Sequence, residues 1–249
     1  LVFDGGQDML MIMKTPWRNL SVFFPVFNEA QALPEVIGRA TAVLERLELD
    51  AYEIIIVDDG SIDESGHIAD QLAARDSHIS VVHHPENRGY GAALVSGFGA
   101  AQYEWVTFND GDGQFDLSNL DRFFEPSTRV DVVLGYRRHR HDHFGRKLNA
   151  WLWTRLVWGI LGLKVRDLDC AFKLFRTERV RNVGVLEARG AVISAELLLK
   201  LKMQGCTWEE VPVEHYSRLG GAPTGAKLRV IWRAIQELVR LRRKVSQAS

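Results

Sequence analysis

Short apolar runs alternate with helical stripes through the first 137 residues of this 249-residue chain. LSVFFPVF (20–27) is a continuous apolar run of strand length, and YEIIIVDD (52–59), HISVVHH (78–84), EWVTFND (104–110) and VDVVLGYR (130–137) have the same form. Strands that stay apolar instead of alternating suit a sheet covered on both faces. Between the first two runs, Leu33, Val36, Ile37, Ala40, Leu44 and Leu47 recur with a 3.6-residue period, and Pro34 falls in the first turn, where proline is tolerated. Ser61 and Glu64 form an S-x-x-E pattern that predicts a capping box opening the next helix. RGYGAALVSGFGAAQ (88–102) predicts a small-residue helix. The expected fold class is therefore α/β: a Rossmann-like, mostly parallel sheet with helices on both faces. Ligands bind such sheets at the carboxyl ends of the strands, where VDDGS, FNDGDGQ and GYRR all lie.

The pattern changes after residue 137. LNAWLWTRLVWGILGL (148–163) is apolar and tryptophan-rich, but Arg155 interrupts it, and it is shorter than the roughly 20 residues needed to span a bilayer. AKLRVIWRAIQELVRLRRK (226–244) puts Leu228, Ile231, Ile235, Leu238 and Val239 on one stripe. Lys227, Arg229, Arg233, Arg240, Arg242, Arg243 and Lys244 make the segment basic. Such a helix either lies on an anionic membrane or packs on the domain with a solvated basic face.

A composition of 46% apolar and 25% charged residues is that of a soluble globular protein. Two cysteines, Cys170 and Cys206, argue against a disulfide scaffold and for a reducing cytoplasm, and the first residues do not read as a signal peptide. The net charge of −1 conceals an asymmetry. Residues 1–130 carry 8 Lys/Arg against 21 Asp/Glu (net −13), and residues 131–249 carry 23 against 11 (net +12). The second half thus faces an anionic partner, or the two halves attract each other. No nucleic-acid partner is expected, because Trp151, Trp153 and Trp158 cluster in an apolar segment and do not interleave with arginines.

Asp110 and Asp112, bracketed by Gly111 and Gly113, are hard oxygen donors at i and i+2 that suit Mg²⁺ or Mn²⁺; Asp-Gly pairs also simply form turns. Asp58 and Asp59 end another strand, where an acid can accept a hydrogen bond from a base N–H, and Pro25, Asn28 and Glu29 can line the same pocket. RGYGAAL fails as a dinucleotide fingerprint because Leu94 stands at the third glycine, so close helix packing is the better account. Arg137 and Arg146 in RRHRHDHFGRK (137–147) are anchors for an anionic group, whereas His139, His141 and His143 lack a zinc-site pattern. YSRLGGAPTGAK (216–227) reads as a lid carrying Arg218, or as a flexible connector.

Taken in order, SVFFPVFNEA, EIIIVDDGSIDES, NRGYGAA, NDGDGQFD, GYRR, VRDLDCAFKLFR and EVPVEHYSR resemble inverting glycosyltransferases of family 2, which have the GT-A fold. The resemblance runs from about residue 19 to 245 and is to the branch of dolichyl-phosphate mannose synthases and bacterial polyprenyl-phosphate sugar transferases; Cys170-Ala171-Phe172 replaces the Ser-Gly-Phe common there. It implies an N-terminal extension (1–18), a GT-A catalytic domain (19–225) and a basic C-terminal helix (226–249). By the same resemblance, Asp110 and Asp112, supported by Gln114, hold Mg²⁺ or Mn²⁺ on the diphosphate of a nucleotide sugar of GDP-mannose or UDP-glucose type. Asp58 reads the base, with Asp59, Pro25, Asn28 and Glu29 lining the donor pocket. Arg137 and Arg146 hold a polyprenyl or dolichyl phosphate acceptor, Arg218 closes over the donor, and a hexose is transferred with inversion. A lipid acceptor implies peripheral contact with the cytoplasmic face of a membrane and is compatible with a membrane-protein partner. A family 2 enzyme acting on a hydroxyl would instead need a general base, for which Asp167, Asp169 or Glu196 is available. A non-catalytic nucleotide-sugar binder is the remaining reading.

Overall fold

The computed structural model describes residues 16–111, 113–138, 144–184, 186–188, 192–216 and 235–243, and of residues 144–150 the helical backbone only. All five strands expected from apolar runs form: β1 (Asn19–Val26), β2 (Ala51–Asp58), β3 (Ile79–His83), β4 (Trp105–Phe108) and β5 (Val132–Arg137). Two further strands, β6 (Lys173–Arg176) and β7 (Trp208–Val213), complete a seven-stranded sheet of order β3-β2-β1-β4-β6-β5-β7. Every pairing is parallel except those of β6, which runs antiparallel to both β4 and β5. Because β6 is reversed, its first residue, Lys173, lies opposite Phe108 and Leu134, near the carboxyl ends of its neighbours.

The helices are α1 (Leu33–Leu44), α2 (Ser65–Arg75), α3 (Tyr90–Ala100), α4 (Asp121–Ser127), α5 (Phe144–Leu161), α6 (Thr177–Arg181) and α7 (Val192–Met203). The stripe on α1 is buried as its period requires, at Leu33, Val36, Ile37, Ala40 and Leu44. The small residues of α3 let it press onto β1: a side chain at Gly97 would start 2.2 Å from the Phe23 ring. Phe23, Phe98, Phe108 and Phe175 stack or meet edge-on behind the ends of β1, β4 and β6, forming an aromatic floor under the rim.

Three expectations change. The capping box does not form: α2 starts at Ser65, its Ncap residue Glu64 makes no side-chain cap, and Ser61 Oγ instead accepts the Asn28 N–H at 3.0 Å. Asp63 takes over the helix start, accepting the Ser65 N–H at 3.0 Å. Secondly, Trp17 belongs to the core and not to an extension. It is 2% exposed, donates from Nε1 to Ser127 Oγ at 2.8 Å and meets Phe124 edge-on. Thirdly, in the described part of the C-terminal helix the buried positions are Leu238 and Leu241, while Val239 faces outward. That part packs on the protein, with Arg242 Nη1 donating to the carbonyl of Ile160 in α5. Among the described residues, no helix is long and apolar enough to cross a membrane.

Candidate active site at the carboxyl rim of the sheet

Two loops, one after β1 and one after β2, are sewn together by side chains. Asn28 adopts φ 57°, a left-handed conformation that Asn tolerates, and its Oδ1 accepts the Ile62 N–H at 2.9 Å. The Glu29 N–H donates to Ser65 Oγ at 2.9 Å and the Ala30 N–H to Asp63 Oδ2 at 3.3 Å. The Glu29 carbonyl receives the N–H groups of Ala32 and Leu33 and so opens α1. Asn28 thus builds the wall of the rim with both its side chain and its backbone N–H, and Glu29 with its backbone N–H and carbonyl. Pro25 lies in β1 opposite Val57.

Asp58 and Asp59 have different tasks. Asp58 Oδ1 accepts the Ser61 N–H at 3.0 Å, and its Oδ2 lies 3.0 Å from His83 Nδ1. The far nitrogen of His83 is 3.1 Å from Asp70. Bonds to Asp70 and then Asp58 raise the His83 pKa, against a smaller opposing effect of burial. Both Asp58 oxygens thus have protein partners, although a carboxylate retains acceptor capacity beyond two bonds. Asp59, expected in the donor pocket, is 3% exposed and turns inward. It accepts the N–H groups of Arg88 at 3.0 Å and Gly89 at 2.8 Å and pairs with His84 Nδ1 at 2.6 Å. Its carboxylate shapes the loop before α3, where two backbone donors would otherwise be unsatisfied.

The acid loop after β4 presents Asp110, whose Oδ1 accepts the Tyr90 hydroxyl at 3.1 Å. Gly111 fits a tight place: a Cβ there would lie 3.1 Å from Val26 Cγ2 and 3.5 Å from the Pro25 carbonyl oxygen. The Gln114 carbonyl accepts the Tyr216 N–H at 2.9 Å, which ties this loop to the segment after β7. Nearby, the buried Asn109 Oδ1 has no hydrogen-bond partner among the described residues. Asp112 and Arg218 lie outside the described residues, as do His139, His141 and His143, and Arg146 is described by its backbone alone. Among the described residues, no three His, Cys, Asp or Glu side chains converge on a metal position. An all-oxygen loop with few carboxylates fits Mg²⁺ or Mn²⁺, which take one or two acids and fill the remaining positions with substrate phosphates and water.

On the other side of the rim, Arg137 ends β5 and is gripped by Asp167, with Nε donating to Oδ2 at 2.7 Å and Nη2 to Oδ1 at 2.8 Å. Burial works to lower the Arg137 pKa, but the bonds and charge of Asp167 more than offset it, so the pKa is raised. Arg137 is thus not a free anchor: one edge of its guanidinium is taken, and a phosphate would have to use the donors that remain. Lys173, 2% exposed, donates to the carbonyls of Leu168 (3.1 Å) and Cys170, with its ammonium 5.7 Å from the Phe108 ring centroid. Burial lowers its pKa, and the charges of Cys170, Asp167, Asp169 and Asp110 pull the other way. The Cys170 thiol is pushed up to about 12 by burial, which makes it a packing residue and not a nucleophile.

The three acids considered as a general base also separate. Asp167 is the partner of Arg137. Glu196 is 3% exposed, accepts the N–H groups of Glu187 (2.9 Å) and Ala188 (2.6 Å), and pairs with Lys200 at 2.9 Å. Asp169 is exposed.

A seven-stranded α/β sheet with acids at its carboxyl rim and one reversed strand defines the GT-A class of fold. The chain belongs to glycosyl transferase family 2, whose family model matches residues 21–184. Solved structures share the fold at low identity. Glucosyl-3-phosphoglycerate synthase from Mycobacterium tuberculosis in complex with UDP is 20% identical with a TM-score of 0.61, over 90% of this chain and 79% of that one. Its complex with Mn²⁺, UDP and phosphoglyceric acid gives 20% identity and a TM-score of 0.64, over 90% and 77% of the two chains. S. aureus TarS 1-349 is 17% identical with a TM-score of 0.54, over 80% of this chain and 59% of that one.

Proposed function

We propose that this protein transfers a hexose, with inversion, from a nucleotide sugar to a polyprenyl or dolichyl phosphate in a divalent-metal-dependent reaction. The observation that carries the acceptor assignment is the state of the candidate bases. Two of the three acids that would have to deprotonate a hydroxyl are committed elsewhere, Asp167 to Arg137 and Glu196 to a buried loop. A phosphate monoester is already ionised at neutral pH and needs no such base. Mn²⁺ and UDP occur together in a solved structure of this fold, which supports a nucleotide-sugar donor.

In this reading Asp110 and Asp112, supported by Gln114, would hold a divalent ion, which would supply Lewis-acid stabilisation of the departing nucleoside diphosphate. The chain's own residues do the positioning. The sewn loops at Asn28 and Ser61 hold the donor pocket wall, Asp58 accepts from the base, and Arg218 covers the diphosphate. Arg137, oriented by Asp167, and Arg146 align the acceptor phosphate with the anomeric carbon, so rate comes from orientation and electrostatics. The exposed Trp151 and Leu152 on α5, with the surplus of cations after residue 130, suit peripheral docking on the cytoplasmic face of an anionic membrane.

A hydroxyl acceptor is the second reading, favoured by the exposure of Asp169. The experiment that separates them offers purified protein Mn²⁺ or Mg²⁺, a short polyprenyl phosphate, and GDP-mannose or UDP-glucose, with mass spectrometry of the lipid phase. A metal-dependent polyprenyl-phosphate hexose is expected. Its absence, together with transfer to a neutral acceptor that collapses in Asp169→Asn, would overturn the lipid-phosphate assignment.

A further inference from the structure

Tyr90 is the first residue of α3, and its hydroxyl reaches across to Asp110 on a different strand end. We infer that Tyr90 is a positioning residue that sets the orientation of the Asp110 carboxylate for a divalent cation. We further infer that the Asp59–His84–Ser96 network holds Tyr90 in place. This rests on the reading of Asp110 as a metal ligand.

The geometry leaves α3 little freedom. Gly89, its Ncap residue, has φ 90°, and the N–H groups of Arg88 and Gly89 both end on Asp59. His84 bonds Asp59 through Nδ1 and reaches Ser96 Oγ through Nε2 at 2.8 Å, further along the same helix. One carboxylate–imidazole pair therefore grips α3 at its entrance and on its body. Gly97 packs directly on the Phe23 ring, so α3 lies close against β1. A helix fixed at three points delivers its first side chain to a fixed place, and that place is 3.1 Å from Asp110 Oδ1.

The chemistry of the donor matters as much as its position. A phenol can orient a carboxylate oxygen without adding positive charge, as a lysine or arginine would, so the acid loop keeps its charge for a cation. Tyr90 is 36% exposed, so removing its hydroxyl takes little from the core. Carboxylates that bind metals are commonly held by such outer hydrogen bonds, and losing one typically weakens the metal by about 10- to 100-fold.

The test is a Mn²⁺ titration of the full chain, with the metal alone, following the electron paramagnetic resonance signal of the free ion, alongside thermal melting. Tyr90→Phe is expected to bind Mn²⁺ about 10-fold more weakly with little change in melting temperature. Ser96→Ala is expected to weaken it less, in the same direction. Asp110→Asn separates the two layers of the argument. If Asp110→Asn binds Mn²⁺ as tightly as the wild type, the metal site itself is wrong and the role of Tyr90 falls with it. If Asp110→Asn loses the metal while Tyr90→Phe keeps wild-type affinity, the metal site stands and the Tyr90 inference is overturned. Unchanged affinity in Ser96→Ala would remove the network from the proposal. A Tyr90→Phe loss of affinity matched by a large fall in melting temperature would reduce Tyr90 to a packing residue.

Discussion

The two sides of the rim are held in different ways. From β1 to β4, acids and amides are spent on backbone N–H groups: Asn28 on Ile62, Asp58 on Ser61, Asp59 on Arg88 and Gly89, Asp63 on Ser65. On the β5–β6 side of the rim, the cations answer a carboxylate or a carbonyl, as in Arg137 with Asp167 and Lys173 with Leu168 and Cys170. The first arrangement fixes the path of the chain. The second holds buried or nearly buried cations against fixed acceptors. Chain path is fixed on one side, and buried charge is paired on the other.

The largest expected effect tests the acid loop. Asp112→Asn should lower metal-dependent turnover by roughly 100- to 1,000-fold, the equivalent of several kcal/mol of lost charge stabilisation. Turnover that keeps its metal dependence in that variant would remove the acid loop from the chemistry. The next targets the paired side. Arg137→Leu should cost about 3 kcal/mol of stability in urea unfolding, because it strands a nearly buried carboxylate. Asp167→Leu added to it should restore much of that loss; strictly additive costs would mean that the pair contributes no coupling, and the contrast between the two sides would fail.

Lys173→Met follows, with an expected loss of about 1–3 kcal/mol from the two carbonyls left without a donor. That corresponds to a fall in melting temperature of about 2–4 °C per kcal/mol for a chain of this size. The smallest effect belongs to His83. Its folded pKa is raised, so its contribution is complete below the ordinary value of about 6.5 and is lost as pH rises through the folded value. Melting temperature should therefore decline slightly on the alkaline side of about pH 6.5, and His83→Gln should flatten that slope. An unchanged slope would show that the His83 ion pairs with Asp58 and Asp70 contribute nothing measurable, as exposed pairs often do.

Much of the first half was legible because β1, β2 and β4 are predominantly apolar runs, and the glycines after Asp110 marked a turn at a strand end. β6 and β7 were harder to see. β6 is four residues long and begins with a lysine, and β7 carries Glu209, Glu210 and Pro212 because it is an edge strand with one side half-exposed. The partners of the acids were not legible at all. Asp58 meets His83 because the β2–β3 register sets them side by side, and Lys173 meets Phe108 through the register of β4 and β6. Register is a property of two strands together, and neither strand states it alone. The lysine within CAFKLF was the one available signal, since a charge inside a buried apolar run needs dedicated partners. Ser61 misled because its hydroxyl was recruited by a loop more than thirty residues away.

The reversed strand has a consequence for how this architecture can diversify. Because β6 enters the sheet from the rim, the segment that precedes it, residues 162–172, reaches the carboxyl rim before pairing begins, whereas residues following β1, β2 and β4 arrive after it. Lengthening or exchanging that approach segment would alter what the rim accepts without shifting the register of the parallel strands behind it. A single strand of four residues thus sets which connection approaches the rim from the opposite direction.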